Sequence, residues 1–209
     1  MVLGTSEAIR LSSIRSITTT PRGVSSKRKL IEWLAGLIDA KGSFLLSKKG
    51  YASLEIIMDL RDGHALNLIK QHYGGSIKLR SGVKAVRYRL HHKEGLLKLI
   101  NDLKGHLRCP SRIAQLNKIG LKYNIPPIQL SPLNIYPRDH GWLSGFFDGE
   151  GTVTLNSANN QITISAVRRT EKILNDNILL VYKVGKISID VDNSRYKTYK
   201  WSVSDREGL

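Results

Sequence analysis

The chain has 209 residues, 41% of them apolar, enough for one ordinary core or two small ones. Its 33 Lys and Arg against 17 Asp and Glu give a formal charge of +16 and a pI near 10.1, which points to a polyanionic partner. No apolar run approaches the roughly 18 residues of a spanning helix, so no membrane partner is expected, and one cysteine, Cys109, excludes a disulfide framework or a Cys-rich zinc site.

Residues 1–30 carry Arg10, Arg15, Arg22, Lys27, Arg28 and Lys29 against Glu7 alone, among Ser, Thr, Ile and Leu. That is the composition of an organellar transit peptide, and equally of a basic arm kept for binding. The mitochondrion is the expected location, with the chloroplast as the alternative. Residues 1–120 hold 22 basic and 8 acidic side chains, net +14, whereas residues 121–209 hold 11 and 9, net +2. The polyanion is therefore expected mainly against the first half.

From residue 31 an apolar run ends at Gly42 and predicts a helix, with Gly36 marking a point where another backbone approaches closely. Alternation then predicts a hairpin, Phe44 and Leu46 facing inward and Ser43, Leu45, Ser47 and Lys49 outward, with a turn at Lys49-Gly50 and a second strand over Ser53 to Asp59. A second hairpin turns Ile77, Leu79, Val86, Tyr88 and Leu90 inward. Lys78, Arg80, Arg87 and Arg89 then share the outer face, and Lys84 joins them as a candidate phosphate contact. Residues 62–72, 93–105 and 111–124 carry helical spacing and should cover the other face.

Residues 126–141 hold Pro126, Pro127, Pro132 and Pro137, which read as an extended linker. Beyond it the pattern restarts: Trp33-Leu-Ala-Gly-Leu-Ile-Asp-Ala-Lys-Gly-Ser-Phe44 aligns with Trp142-Leu-Ser-Gly-Phe-Phe-Asp-Gly-Glu-Gly-Thr-Val153. The chain is a tandem duplication. Tyr73 to Ile77 echoes Tyr182 to Ile187, and Lys93 to Leu96 echoes Arg206 to Leu209, so the second copy is expected to be shorter. Its hairpin turns Val153, Leu155, Ile162, Ile164 and Ala166 inward and Thr152, Thr154, Asn156, Gln161, Thr163 and Ser165 outward. The expected units are an arm at 1–30, a repeat at 31–125, the linker at 126–141 and a second repeat at 142–209.

The strings LAGLIDAKG at 34–42 and LSGFFDGEG at 143–151 resemble the paired motifs of the two-repeat, single-chain LAGLIDADG homing endonucleases and maturases. The resemblance implies an α+β fold in a monomer with an internal pseudo-twofold axis. The motif helices would pack at the centre, and two antiparallel sheets would form a saddle over DNA or, in maturases, RNA. Lys49, Lys78, Arg80, Lys84, Arg87, Arg89, Arg168 and Arg169 would contact nucleic acid there, together with the six cations of the arm.

In that family each motif supplies an acid at its penultimate position, and divalent metals held between two such carboxylates activate water and stabilise the leaving oxygen. Glu150 stands there in the second motif; Lys41 stands there in the first. A charged lysine donates three hydrogen bonds and accepts none, so it ligates no metal. The resemblance therefore implies no cofactor, with Mg²⁺ on Glu150 only in a nuclease, and it implies helix-end structural roles for Asp39 and Asp148. Lys41 is expected to lie beside Glu150 and to fill the space of the metals. The leading reading is a non-cleaving protein that binds structured RNA in an organelle, as a maturase-like splicing factor or a component of a mitoribosome with ribosomal proteins as partners. An active site-specific DNA endonuclease or nickase is one alternative; a non-catalytic DNA-binding regulator is another.

Overall fold

A computed structural model describes residues 23–130, 139–169, 172–191 and 197–205. Helix α1 (Gly23–Lys41) leads into β1 (Gly42–Leu46) and β2 (Ala52–Asp59), a 3₁₀ turn (Leu60–Asp62), α2 (Gly63–Tyr73), β3 (Ser76–Leu79), β4 (Ala85–Leu90), α3 (Lys93–Asp102) and α4 (Pro110–Lys122). The pattern then resumes with α5 (Trp142–Glu150), β5 (Gly151–Asn156), β6 (Gln161–Arg169), α6 (Lys172–Tyr182), β7 (Lys186–Val191) and β8 (Lys197–Val203). The strands form two antiparallel sheets of the same order, β1-β2-β4-β3 and β5-β6-β8-β7. This is the α+β duplication the repeat implied.

Helices α1 and α5 pack side by side, and glycine decides how closely. A Cβ on Gly36 would sit 1.9 Å from the Trp142 carbonyl oxygen, and one on Gly145 would sit 1.8 Å from that of Trp33. Each motif glycine thus admits the opposite backbone in a reciprocal, pseudo-twofold contact. Leu34, Leu37, Ile38, Trp33, Trp142 and Phe146 are buried around it. Beneath the first sheet, α2, α3 and α4 contribute Leu66, Ile69, Leu96, Leu99, Ile100, Ile113, Leu116 and Ile119 to the core at the helical spacing read from the sequence.

Some of the expected inward positions differ at the ends of strands. Leu46 closes β1 and is exposed, Leu79 closes the edge strand β3 and is 72% exposed, and Leu155 and Ile162 form an exposed register pair beside the 157–160 turn. Alternation specifies a side, but burial requires something on that side. Against the second sheet α6 packs on β6, β7 and β8. The first 22 residues lie outside the described region, and so do Arg10, Arg15 and Arg22.

Helix α1 starts at Gly23, eight residues before the expected start of the repeat, so Lys27, Arg28 and Lys29 belong to a helix and not to an arm. Lys27 meets Asp102 at 3.8 Å, Arg28 meets Glu32 at 2.8 Å, and Lys29 meets Glu32 at 3.6 Å and Asp139 at 3.5 Å. The start of the proline-rich segment is also fixed: Asn117 on α4 donates to the Ile128 carbonyl and accepts from its N–H, both at 2.9 Å.

Candidate functional site

Two tryptophans tie the motif helices together from opposite sides. The Trp142 indole donates to Asp39 Oδ2 at 2.8 Å, and the Trp33 indole donates to Asp148 Oδ2 at 2.8 Å. Asp39 is wholly buried and also accepts from the Arg108 N–H at 2.7 Å. Burial pushes its carboxyl up to about 6 despite those donors and the Arg108 charge. The Arg108 guanidinium is itself buried over the Trp142 ring, 4.3 Å from its centroid. Asp39 and Asp148 thus join helices, as helix-end structural carboxylates.

The motif helices end beside each other, which brings Lys41 Nζ to 3.1 Å from Glu150 Oε2. The expected pair forms directly. Its donor set is one carboxylate and one ammonium, where a two-metal junction needs carboxylates from both helices. The residues present do not fit a pair of divalent ions, and no hydrolytic step follows from them.

A second polar cluster lies where the middle of α1 meets the start of α5. Glu32, almost fully buried, accepts from Arg28 Nε and from the Gly141 N–H, each at 2.8 Å, and lies 3.7 Å from His140 Nε2. Burial alone would raise the Glu32 pKa; the Gly141 and Arg28 hydrogen bonds, with the His140 and Lys29 charges, outweigh it and hold the group below its ordinary value. Burial pushes His140 down to about 4, and His106, whose ring centroid is 5.8 Å away, is lowered for the same reason. No local spacing announces this cluster, because its members come from α1, the segment after α3 and the approach to α5.

On the first sheet, register sets Lys78 opposite Arg87 and Ser76 opposite Arg89. Lys78, Arg80 and Arg89 are exposed, while Arg87 is half-buried. Alternation alone does not draw attention to Glu55 on the neighbouring strand, which pulls in Arg89 at 3.3 Å and Arg87 at 4.0 Å. Lys49 lies exposed in the β1–β2 turn, as the Lys49-Gly50 turn implied, and Lys84 is exposed before β4. In the second sheet register sets Thr152 opposite Ser165, Thr154 opposite Thr163 and Asn156 opposite Gln161, with Lys186 on the rung of Thr152 and Ser165 and Lys200 on the next rung of that face, opposite Val167; Ser165, expected to face outward, is buried by the strands on either side of it. Those two lysines belong to the second hairpin of that half, where alternation is the signal that finds them. Arg168 pairs with Tyr199 and Arg169 with Thr198 along the backbone; the two arginine side chains lie outside the described residues.

A family model described as LAGLIDADG endonuclease matches residues 34–119. The chain is 41% identical over 184 residues to the intron-encoded RNA maturase bI4 of Saccharomyces cerevisiae, an alignment covering 84% of this chain and 27% of that protein. It is 32% identical over 196 residues to the intron-encoded DNA endonuclease ai2b of Dictyostelium discoideum, covering 89% of this chain and 71% of the relative. It spans between about a quarter and a half of the yeast maturase and of two further relatives, from Debaryomyces hansenii and Dictyostelium discoideum. Among solved structures, the meganuclease I-AabMI bound to uncleaved DNA superposes with a TM-score of 0.62 at 23% identity, covering 84% of this chain and 78% of that one. Two motif helices in glycine-mediated contact, two sheets of one strand order and a relative matched over most of both chains lead to one conclusion: the chain belongs to the LAGLIDADG endonuclease family.

Proposed function

We propose that this chain is a nucleic-acid-binding LAGLIDADG protein that holds structured RNA in an organelle and does not cut. The observation that carries this reading is the Lys41–Glu150 pair at 3.1 Å, an ammonium where metal-dependent cleavage needs a second carboxylate. RNA is favoured over DNA on two grounds. The yeast relative is named as an RNA maturase, and the charge is lopsided, +14 over residues 1–120 against +2 over residues 121–209, which suits one-sided docking better than an even grip on a long duplex. The intron-encoded relatives support an organellar, mitochondrial location. Within that setting the protein serves as a maturase-like splicing factor or as a ribonucleoprotein component that meets ribosomal proteins.

The test is to crosslink the protein in intact organelles and sequence what it holds. Intron or ribosomal RNA is expected, and it separates the two roles. A discrete DNA site would overturn the RNA reading.

A second reading, a site-specific DNA endonuclease or nickase, is favoured by the relative named as a DNA endonuclease and by the carboxylate that Glu150 retains. Purified protein with Mg²⁺ and its best DNA site separates the two. Strand scission abolished by Glu150→Gln would replace the non-cleaving reading.

A further inference from the structure

We infer that a hollow on the outer face of the β3–β4 ribbon is a site for one unstacked RNA nucleotide, its base against Tyr51 and its phosphate among Lys78, Arg87 and Arg89. This rests on the nucleic-acid-binding reading above and adds to it what part of the RNA is held. The hollow has a volume of about 270 Å³ and is lined by Tyr51, Ser76, Lys78, Arg87, Arg89 and His91. That is just below the roughly 300 Å³ at which pockets for whole small molecules begin, a size for one base and its phosphate.

Its chemistry divides into two parts. Lys78, Arg87 and Arg89 stand on facing strands in alternate pairs, which places them on one face, and Glu55 is the acid that meets the two arginines. Three cations against one carboxylate leave a net positive surface, even with Glu55 competing for the two guanidinium groups. Tyr51 supplies the other part. It is 72% exposed, the one strongly exposed Phe, Tyr or Trp ring among the described residues.

The Tyr51 backbone is held by a tight turn. The Tyr51 N–H donates to Ser47 Oγ, its carbonyl accepts from the Ser47 N–H, both at 2.9 Å, and Gly50 takes the left-handed φ of +81° that the turn needs. Lys122 of α4 donates to the Gly50 carbonyl. An aromatic face kept in water beside a phosphate-sized cluster of cations suits a base, because every base has a π-face to stack. Bases inside a duplex already have both faces covered by neighbours. Bulges and loops of RNA offer free ones.

The experiment compares two RNA hairpins with the same stem, one fully paired and one with a single bulged fluorescent adenine analogue, bound by the full chain. Wild type and Tyr51→Phe are expected to prefer the bulged hairpin and to quench the analogue. Tyr51→Ala should lose about tenfold in affinity for the bulged hairpin, together with the quenching, and leave the paired hairpin unchanged. Tyr51→Ala weakening both hairpins equally, or neither, would overturn the site while leaving RNA binding in place. Displacement of the bulged RNA by adenosine monophosphate would reassign the hollow to a free nucleotide. If wild type binds neither hairpin, the site and the reading it rests on both fall.

Discussion

The indole of Trp142 donates to Asp39 across the motif helices at 2.8 Å, and the same bond in mirror role joins Trp33 to Asp148 at the same length. Their surroundings differ. Asp39 is wholly buried, whereas Asp148 is reached by solvent.

Removing each donor should therefore have unequal effects. Trp142→Phe leaves a buried carboxyl group short of a partner and is expected to cost about 1–3 kcal/mol beyond the packing change; Trp33→Phe should cost about 1 kcal/mol, since water can replace the indole. Urea unfolding of both variants checks this. Equal losses would mean that burial does not set the value of the bond.

Close approach of the helices gives the second expectation. Gly145→Ala forces a methyl into the Trp33 carbonyl and should destabilise by about 3 kcal/mol or more. Gly63, at the start of α2, has nothing within 4 Å of an added Cβ, so Gly63→Ala should be neutral or stabilise by up to about 1 kcal/mol. The two midpoints in urea should move in different directions, or at least by very different amounts.

Replacing the ammonium at the motif junction with a carboxylate should create what the junction lacks. Lys41→Asp sets two acids together near the 3.1 Å pair and is expected to lower Tm without divalent ions through like-charge repulsion. Mg²⁺ should restore the loss in Lys41→Asp and leave wild type unmoved. A variant indifferent to Mg²⁺ would show that the helix ends do not converge closely enough to share an ion.

The pH response separates Asp39 from His140. Burial raises the Asp39 carboxyl to about 6 from 3.8, so between those values the folded state keeps a proton that the unfolded chain releases, and this group's contribution falls as pH rises. Burial lowers His140 to about 4 from 6.5, so there the unfolded chain holds the extra proton and stability rises with pH. The two slopes oppose each other across nearly one window. Asp39→Asn should leave the rise from pH 4 to 6.5 steeper than in wild type, and His140→Gln should make it shallower, His106 supplying what rise remains against Asp39. Urea midpoints at half-unit pH steps read both.

Charge on the first sheet should be visible in salt dependence. Reversing Lys78 and Arg87 to Glu is expected to weaken RNA binding and to lower the slope of log affinity against log salt by roughly one for each phosphate no longer neutralised. Glu55→Gln should strengthen binding, because it releases Arg87 and Arg89 from a competing carboxylate. An unaltered slope in the reversal variant would make the ribbon a solvated face.

What the sequence made legible was whatever repeats or alternates. Gly36 and Gly145 announce a close backbone approach, and the alignment of the two copies pairs Lys41 with Glu150, which the fold places 3.1 Å apart. The cations of β3 and β4 follow from alternation. Less visible is anything assembled from distant segments: Glu32, Arg108 and His140 look like surface residues by type, yet the fold buries all three and half-buries His106 beside them. Glu55 and Tyr51 escape sequence reasoning for a related reason. One is an acid within a strand notable for its apolar face, the other lies at a turn, and their significance comes from neighbours on another strand.

The glycine contact between α1 and α5 also bears on how the halves depend on each other. The bonds across it join residues 103 and 115 positions apart, so the chain must close a long loop before its central packing forms. The covalent connection supplies nearness and little else. If the chain were cut between residues 130 and 139, folding would become an association of two fragments, with a midpoint that depends on protein concentration, as it does for subunits of a dimer. Mixing separately expressed halves should then rebuild the molecule, while either half alone would present an unfilled groove of bare backbone.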